Sequence, residues 1–352
     1  MEEEAPPELL RPLVPDILFE LADGHPIDFV RYDPAAQSFT LEADAQEFLL
    51  EFGGQVAFVM NMGQRRVGKT AFFNRCLDIA PPEACFREGV RGFKLWSKPI
   101  FSTTDNKHVF FVDCEGRDDE TYQEFCWIFA FFFSSLLLYS TSGELNDASW
   151  AEFRPLEAIA KKVVFLDTPL EGNLHNVAHH APRLYWLIRD FVPEEGPEAF
   201  AQPDAYMNAQ LSGEGGDAYT KQQLAAFFKQ RNSALLPPPG QAEGDDFLAA
   251  VTEESVRAVK DAIFAKVQVK LWNGLPLTAR LCVYLMTVAI DQFCRGERLD
   301  FERMFAEIAR SEVQRYAEEA LEVFEVTLRS RLAGNALSRA GELFEALREA
   351  RD

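Results

Sequence analysis

Gln55-Val56-Ala57-Phe58-Val59-Met60-Asn61-Met62 runs directly into Gly63-Gln64-Arg65-Arg66-Val67-Gly68-Lys69-Thr70, then Ala71-Phe72-Phe73-Asn74-Arg75-Cys76-Leu77. The first segment is a short apolar run suited to a strand buried on both faces. The last carries Phe72, Phe73, Cys76 and Leu77 at helical spacing. Between them GxxxxGK[ST] fits without a gap. Strand, glycine-bearing loop and helix in that order turn successive backbone N–H groups inward around an anion, and the helix N-terminus adds partial positive charge. Lys69 is then placed to reach the terminal phosphates of a nucleotide, and the Thr70 hydroxyl to hold Mg2+. A glycine turn with an incidental lysine would not need the flanking strand and helix.

Val109-Phe110-Phe111-Val112 is a second apolar strand, closing on Asp113-Cys114-Glu115-Gly116. In phosphate-loop proteins an Asp at this place orders the Mg2+ shell, directly or through water, and Gly116 offers an N–H with no side chain in the way. Phe93 to Phe101 reads as a further strand. Trp186 to Ile188 reads as another, ending on Arg189-Asp190. A carboxylate there can accept two parallel hydrogen bonds from guanine N1–H and N2–H2, which adenine cannot supply. An unpaired buried carboxylate rejects the wrong base by roughly 10⁴. On the residues alone, Arg-Asp reads as readily as a surface ion pair.

Strands separated by apolar helices predict an α/β fold of the P-loop NTPase type, three layers with a mostly parallel sheet and a ligand at the strand carboxyl ends. Val192 to Asp217 and Arg231 to Asp246 read as loops rich in Pro, Gly and acid. From Arg298 the chain turns helical, with Val313, Ala317, Leu321, Phe324, Leu328 and Leu332 forming a stripe expected to pack on the preceding domain.

The chain has 352 residues, 47% of them hydrophobic, with 31 Phe, which is ample for a buried core. A formal charge of −21 argues against nucleic acid or an anionic membrane as a broad-surface partner. The six cysteines show no close spacing and read as reduced, mostly buried thiols of an intracellular protein. No secretory leader is visible at the N-terminus. Phe125 to Tyr139 is strongly apolar but shorter than a spanning helix, so a core helix or helix–strand pair is expected and no transmembrane segment. His175 and His179 stand one helical turn apart without the glutamate a zinc protease needs, and the histidines of this stretch, His175, His179 and His180, read as solvated.

Taken together, Gly63 to Thr70, Arg91-Gly92-Phe93-Lys94-Leu95-Trp96, Asp113 to Gly116, Trp127-Ile128-Phe129-Ala130, Leu187-Ile188-Arg189-Asp190-Phe191, Pro203-Asp204-Ala205-Tyr206 and Asn273-Gly274 resemble the GTPase domain of the guanylate-binding proteins. More distantly they resemble the atlastins, in the same dynamin superfamily. The resemblance covers roughly residues 25–345. It implies a large GTPase domain over 1–300 and the start of a helical domain over 301–352. It further implies a Mg2+-dependent GTPase binding GTP and GDP, with homodimerisation through the nucleotide face.

Carried onto this chain, the resemblance makes Arg66 an internal arginine finger and sets Lys69 on the phosphates. Glu115 then orders the attacking water, while Thr70 and Asp113 serve the metal, Asp113 through water. The implied nucleotide-binding set is Gly63, Gln64, Arg65, Arg66, Val67, Gly68, Lys69, Thr70, Ala71, Asp113, Gly116, Arg189 and Asp190. Leu235 to Pro239 matches the segment that caps the base and forms a dimer face. A cytoplasmic protein, membrane-associated through partners, is implied. Two positions depart from the family: Val90 stands where a switch Thr completes the Mg2+ shell, and Glu88 where a Ser assists catalysis. A degenerate GTPase that holds nucleotide with little turnover is the alternative these departures leave open.

Overall fold

In the computed structural model, the run Gln55–Gly63 forms β3, and every residue from Val56 to Met62 is buried. The residues described are 24–79, 92–102, 105–116, 119–164, 177–193, 200–213, 217–238, 246–265, 267–272 and 275–332. Ahead of β3 lie β1 (Pro26–Asp33) and β2 (Ser38–Leu41). After it come β4 (Gly92–Trp96), β5 (Ile100–Ser102), β6 (Lys107–Cys114), β7 (Leu136–Ser142), β8 (Val163–Val164), β9 (Arg183–Arg189) and β10 (Arg231–Leu235).

Among the described residues nine strands form one sheet in the order β10-β9-β7-β3-β6-β4-β1-β2, with β5 beside β6. The five strands from β10 to β6 run parallel; β4, β1, β2 and β5 are antiparallel additions at one side. The expected strand from Phe93 to Phe101 is therefore two, β4 and β5, each antiparallel to β6. β10 was read as loop: its sequence, Arg-Asn-Ser-Ala-Leu, is half polar, and pairing with β9 makes it a strand. Helix Pro203–Ser212 likewise lies inside a stretch read as loop, with Pro at its start.

The apolar stretch from Phe125 resolves into a helix–strand pair, helix Glu120–Phe133 followed by β7. Asp119 caps that helix, accepting from the Tyr122 N–H at 2.8 Å. Phe125 to Phe133 are all buried because the helix packs between the sheet's aromatic face and helices Leu156–Lys162 and Ala279–Cys294. Phe39 stacks on Phe125 at 3.7 Å and Phe93 meets Phe129 at 5.0 Å. No described helix is long and apolar enough to cross a membrane.

Residues 1–302 and 303–352 form two compact units. Within the long helix Phe301–Leu332, Val313 and Phe324 of the apolar stripe are exposed and Leu321 and Leu328 half-buried. Intrahelical ion pairs such as Arg303–Glu307 and Arg315–Glu319 support a helix of this kind.

Beneath β7, Lys270 is buried, and its Nζ donates to the carbonyls of Phe131 at 2.8 Å, Ser134 at 3.0 Å and His180. It ties the end of helix Glu120–Phe133 to the approach to β9. Lys270→Met leaves three buried carbonyls without that donor, so a loss of about 2–4 kcal/mol is expected in urea unfolding. Burial pushes the Lys270 ammonium from 10.5 down to about 7. Between those values the unfolded chain binds more protons than the folded one, so stability rises with pH in that window. The rise in urea midpoint from pH 7 to pH 9 should shrink in Lys270→Met.

His180 is not a solvated residue: its ring stacks on Trp272 at 4.1 Å, and burial pushes its pKa down to about 3. His179 is exposed, and His175 lies outside the described residues.

Candidate nucleotide site

Parallel pairing sets the ends of five strands along one edge of the sheet. In register, Asn61 faces Asp113, Gly63 faces Ser140, Ser142 faces Arg189, and Leu235 faces Ile188. The loop after β3, the acidic end of β6 and the Arg-Asp end of β9 are thereby brought together.

Gly63, Arg66 and Gly68 have left-handed backbone, with φ of 141°, 61° and 70°. A Cβ on Gly63 would stand 2.2 Å from the Ser140 carbonyl oxygen, so the close passage of β7, as well as the curl of the loop, requires glycine there. Gln64 is held twice to β7: its N–H donates to Ser140 O at 2.9 Å, and its side-chain oxygen accepts from the Ser142 N–H at 3.0 Å. Helix Lys69–Cys76 follows with Gly68 at its N-cap and no side-chain cap, which leaves first-turn N–H groups facing the loop. Arg65, Arg66 and Ala71 are exposed and Val67 is half-buried.

Lys69 is buried. A Cβ added to Gly116 would come within 3.0 Å of the Lys69 ammonium and of the Gly63 carbonyl, so Gly116 closes directly over the loop. Thr70 Oγ1 donates to Asp113 Oδ2 at 2.8 Å and Asn61 Nδ2 donates to Asp113 Oδ1 at 2.6 Å. Burial raises the Asp113 carboxyl to about 6, opposed by the Lys69 charge and by these two hydrogen bonds. Glu115 is half-buried; its N–H donates to Gly92 O at 3.0 Å and its carbonyl accepts from Tyr122 OH at 2.8 Å.

The two candidate metal residues fit Mg2+. A hydroxyl and a carboxylate already in contact are hard oxygen donors, and Mg2+ needs only one or two from protein when phosphates and water supply the rest. Among the described residues no three His, Cys, Asp or Glu side chains converge as a complete cage.

At the end of β9, Arg189 lies over the Phe72 ring at 5.6 Å and beside Gly68. Its Nε and Nη1 are buried without a hydrogen-bond partner, and burial lowers its pKa. Buried donors without a partner are uncommon in folded proteins. Asp190 has φ of 52° and accepts from Ser142 Oγ at 2.8 Å. A non-glycine residue in that region is costly and concentrates at functional positions. Beside it, Leu235 and Leu236 are buried, and Leu236 is bound by backbone to Ile188 and Phe191. Pro239, Glu88 and Val90 lie outside the described residues.

Asn61 and Ser142 escaped the reading of the sequence. Asn61 is a lone polar residue in an apolar strand, two positions before Gly63, and that anomaly was the available signal. Its own Oδ1 is buried and unpartnered, a cost retained for the donor to Asp113. Asn61→Leu leaves the buried Asp113 Oδ1 without its donor, so it should lower stability by about 1–3 kcal/mol and weaken Mg2+-nucleotide binding by roughly tenfold, the worth of one charge-assisted hydrogen bond. Titration with a fluorescent GTP analogue reads this.

Residues 36–258, well over half of the chain, match the family described as guanylate-binding protein, N-terminal domain. No curated protein matches the chain.

Proposed function

The chain belongs to the guanylate-binding-protein family of large GTPases, and on that footing we propose that it binds guanine nucleotide across the loop Gly63–Thr70 and hydrolyses GTP by in-line attack of water. The observation that carries this reading is the cluster of buried Lys69 and Asp113 with half-buried Thr70 under an uncapped helix start, closed over by Gly116.

Lys69 and the loop N–H groups grip the β- and γ-phosphates, and the Gly116 N–H faces the γ-phosphate. The Thr70 hydroxyl would hold Mg2+, with Asp113 binding through water; the ion when bound neutralises phosphate charge. Glu115 orients the attacking water. Arg66, at the exposed turn of the loop, offsets charge that develops on the transferring group, a role worth roughly 10³–10⁵ in rate where an arginine acts in cis. Asp190 accepts from the guanine N1–H and N2–H2, with Arg189 beside it. Residues 1–300 carry this activity and 301–352 begin a helical domain. Two chains pair across the nucleotide face, although Leu235 and Leu236 of the segment expected there are buried within the chain.

Thermal unfolding with GDP and with ADP, each with Mg2+, tests the assignment: GDP should raise the midpoint and ADP should not. Stabilisation by ADP alone removes it. Val90, whose side chain has no oxygen for the metal shell, favours a second reading in which nucleotide is held and turned over slowly. Faster single-turnover phosphate release in Val90→Thr than in the wild type would support that reading.

A further inference from the structure

The buried thiols of Cys114 and Cys126 stand 3.6 Å apart, sulfur to sulfur, at the end of β6 and on helix Glu120–Phe133. Cys114 is the residue between Asp113 and Glu115, and its sulfur also lies 3.7 Å from Tyr122 OH and 3.5 Å from the Glu115 carbonyl. Both cysteines line a cavity of about 40 Å3 whose other walls include Gly63, Arg65, Glu115 and Gly116. The pair therefore opens toward the phosphate end of the proposed site, while Cys76 and Cys282 are buried elsewhere.

We propose that Cys114 and Cys126 are a reversible oxidation site, joined by a peroxide into an intrachain disulfide that slows nucleotide turnover. The functional half rests on the GTPase reading above; the crosslink itself does not. One thiol loses its proton and attacks a peroxide oxygen, the O–O bond breaks, and a sulfenic acid and water result. The second thiol gives up its proton and attacks the sulfenic sulfur, the S–O bond breaks, and a second water leaves. Two thiols have lost two electrons and one peroxide has become two waters.

The sulfurs must close from 3.6 Å to about 2.05 Å. That approach draws β6 and the helix together exactly where Asp113 and Glu115 are held, and a shift of about 1 Å in such groups can cost roughly 100-fold in rate. Burial pushes the Cys126 thiol up.

The full chain is treated with hydrogen peroxide, then alkylated after denaturation without reductant and mapped by mass. The expected result is a peptide pair joined through Cys114 and Cys126, 2 Da lighter than the sum of its reduced halves (about one Da per thiol hydrogen lost), released by dithiothreitol and absent in Cys126→Ser. GTP turnover should fall several-fold with the crosslink, recover on reduction, and stay insensitive to peroxide in Cys126→Ser. Recovery of both cysteines as alkylated thiols, or as sulfinic acids without a crosslink, overturns the site. A full crosslink with unaltered turnover overturns its regulatory role. A chain without measurable GTP hydrolysis sinks the GTPase reading and leaves the mass readout to judge the thiol pair.

Discussion

Lys69→Ala is expected to lower affinity for GTP and GDP by roughly 10²- to 10³-fold, about 3–4 kcal/mol. The size follows from where the ammonium sits. Lys69 is buried, and Gly116 and the Gly63 carbonyl close around it, so water cannot replace the lost charge at the phosphates. The Thr70–Asp113 hydrogen bond remains, and with it the placement of the metal donors. Calorimetric titration against the wild type checks this, with thermal unfolding of the nucleotide-free proteins as the control for folding. Affinity within a factor of three of wild type, in a folded variant, would remove the phosphate loop from the site.

Asp190→Asn is expected to cost GTP roughly 10²–10⁴ in affinity, because a site built to pair polar groups of a ligand is penalised when they mismatch. An amide presents an N–H toward the guanine amino group, where the carboxylate had accepted. Xanthosine triphosphate carries a carbonyl at C2 in place of that amino group, so the variant should bind it better than GTP. The Ser142 hydroxyl can still donate to the Asn oxygen, and the left-handed backbone at φ of 52° suits Asn at least as well as Asp. The fold therefore survives the exchange. Competition between GTP, ATP and xanthosine triphosphate for wild type and variant reads the outcome; unchanged selectivity would place base recognition elsewhere.

The Gly63–Thr70 loop, the Asp113–Gly116 strand end and the parallel core were legible because local rules govern them. An apolar run long enough only for a strand, a glycine spacing and a helical period all lie within a few residues of each other. Membership in the family followed from several such stretches in order. What escaped was set by partners distant in the chain. β10 is polar in sequence and becomes a strand through β9. The break between β4 and β5 is seen only beside β6. The stacking of His180 on Trp272 has no local signature.

The sequence by itself carried the GxxxxGK[ST] loop between strand and helix and the α/β class, since each depends on spacing within one segment, while the guanine role of Asp190 came only from resemblance to the family. Only the tertiary structure decided that Asn61 and Thr70 both hold Asp113, that Arg189 is buried with unpartnered nitrogens beside Gly68, and that two thiols twelve positions apart touch. Those facts depend on sheet register and helix packing, which a chain acquires only when distant segments exclude water from one another.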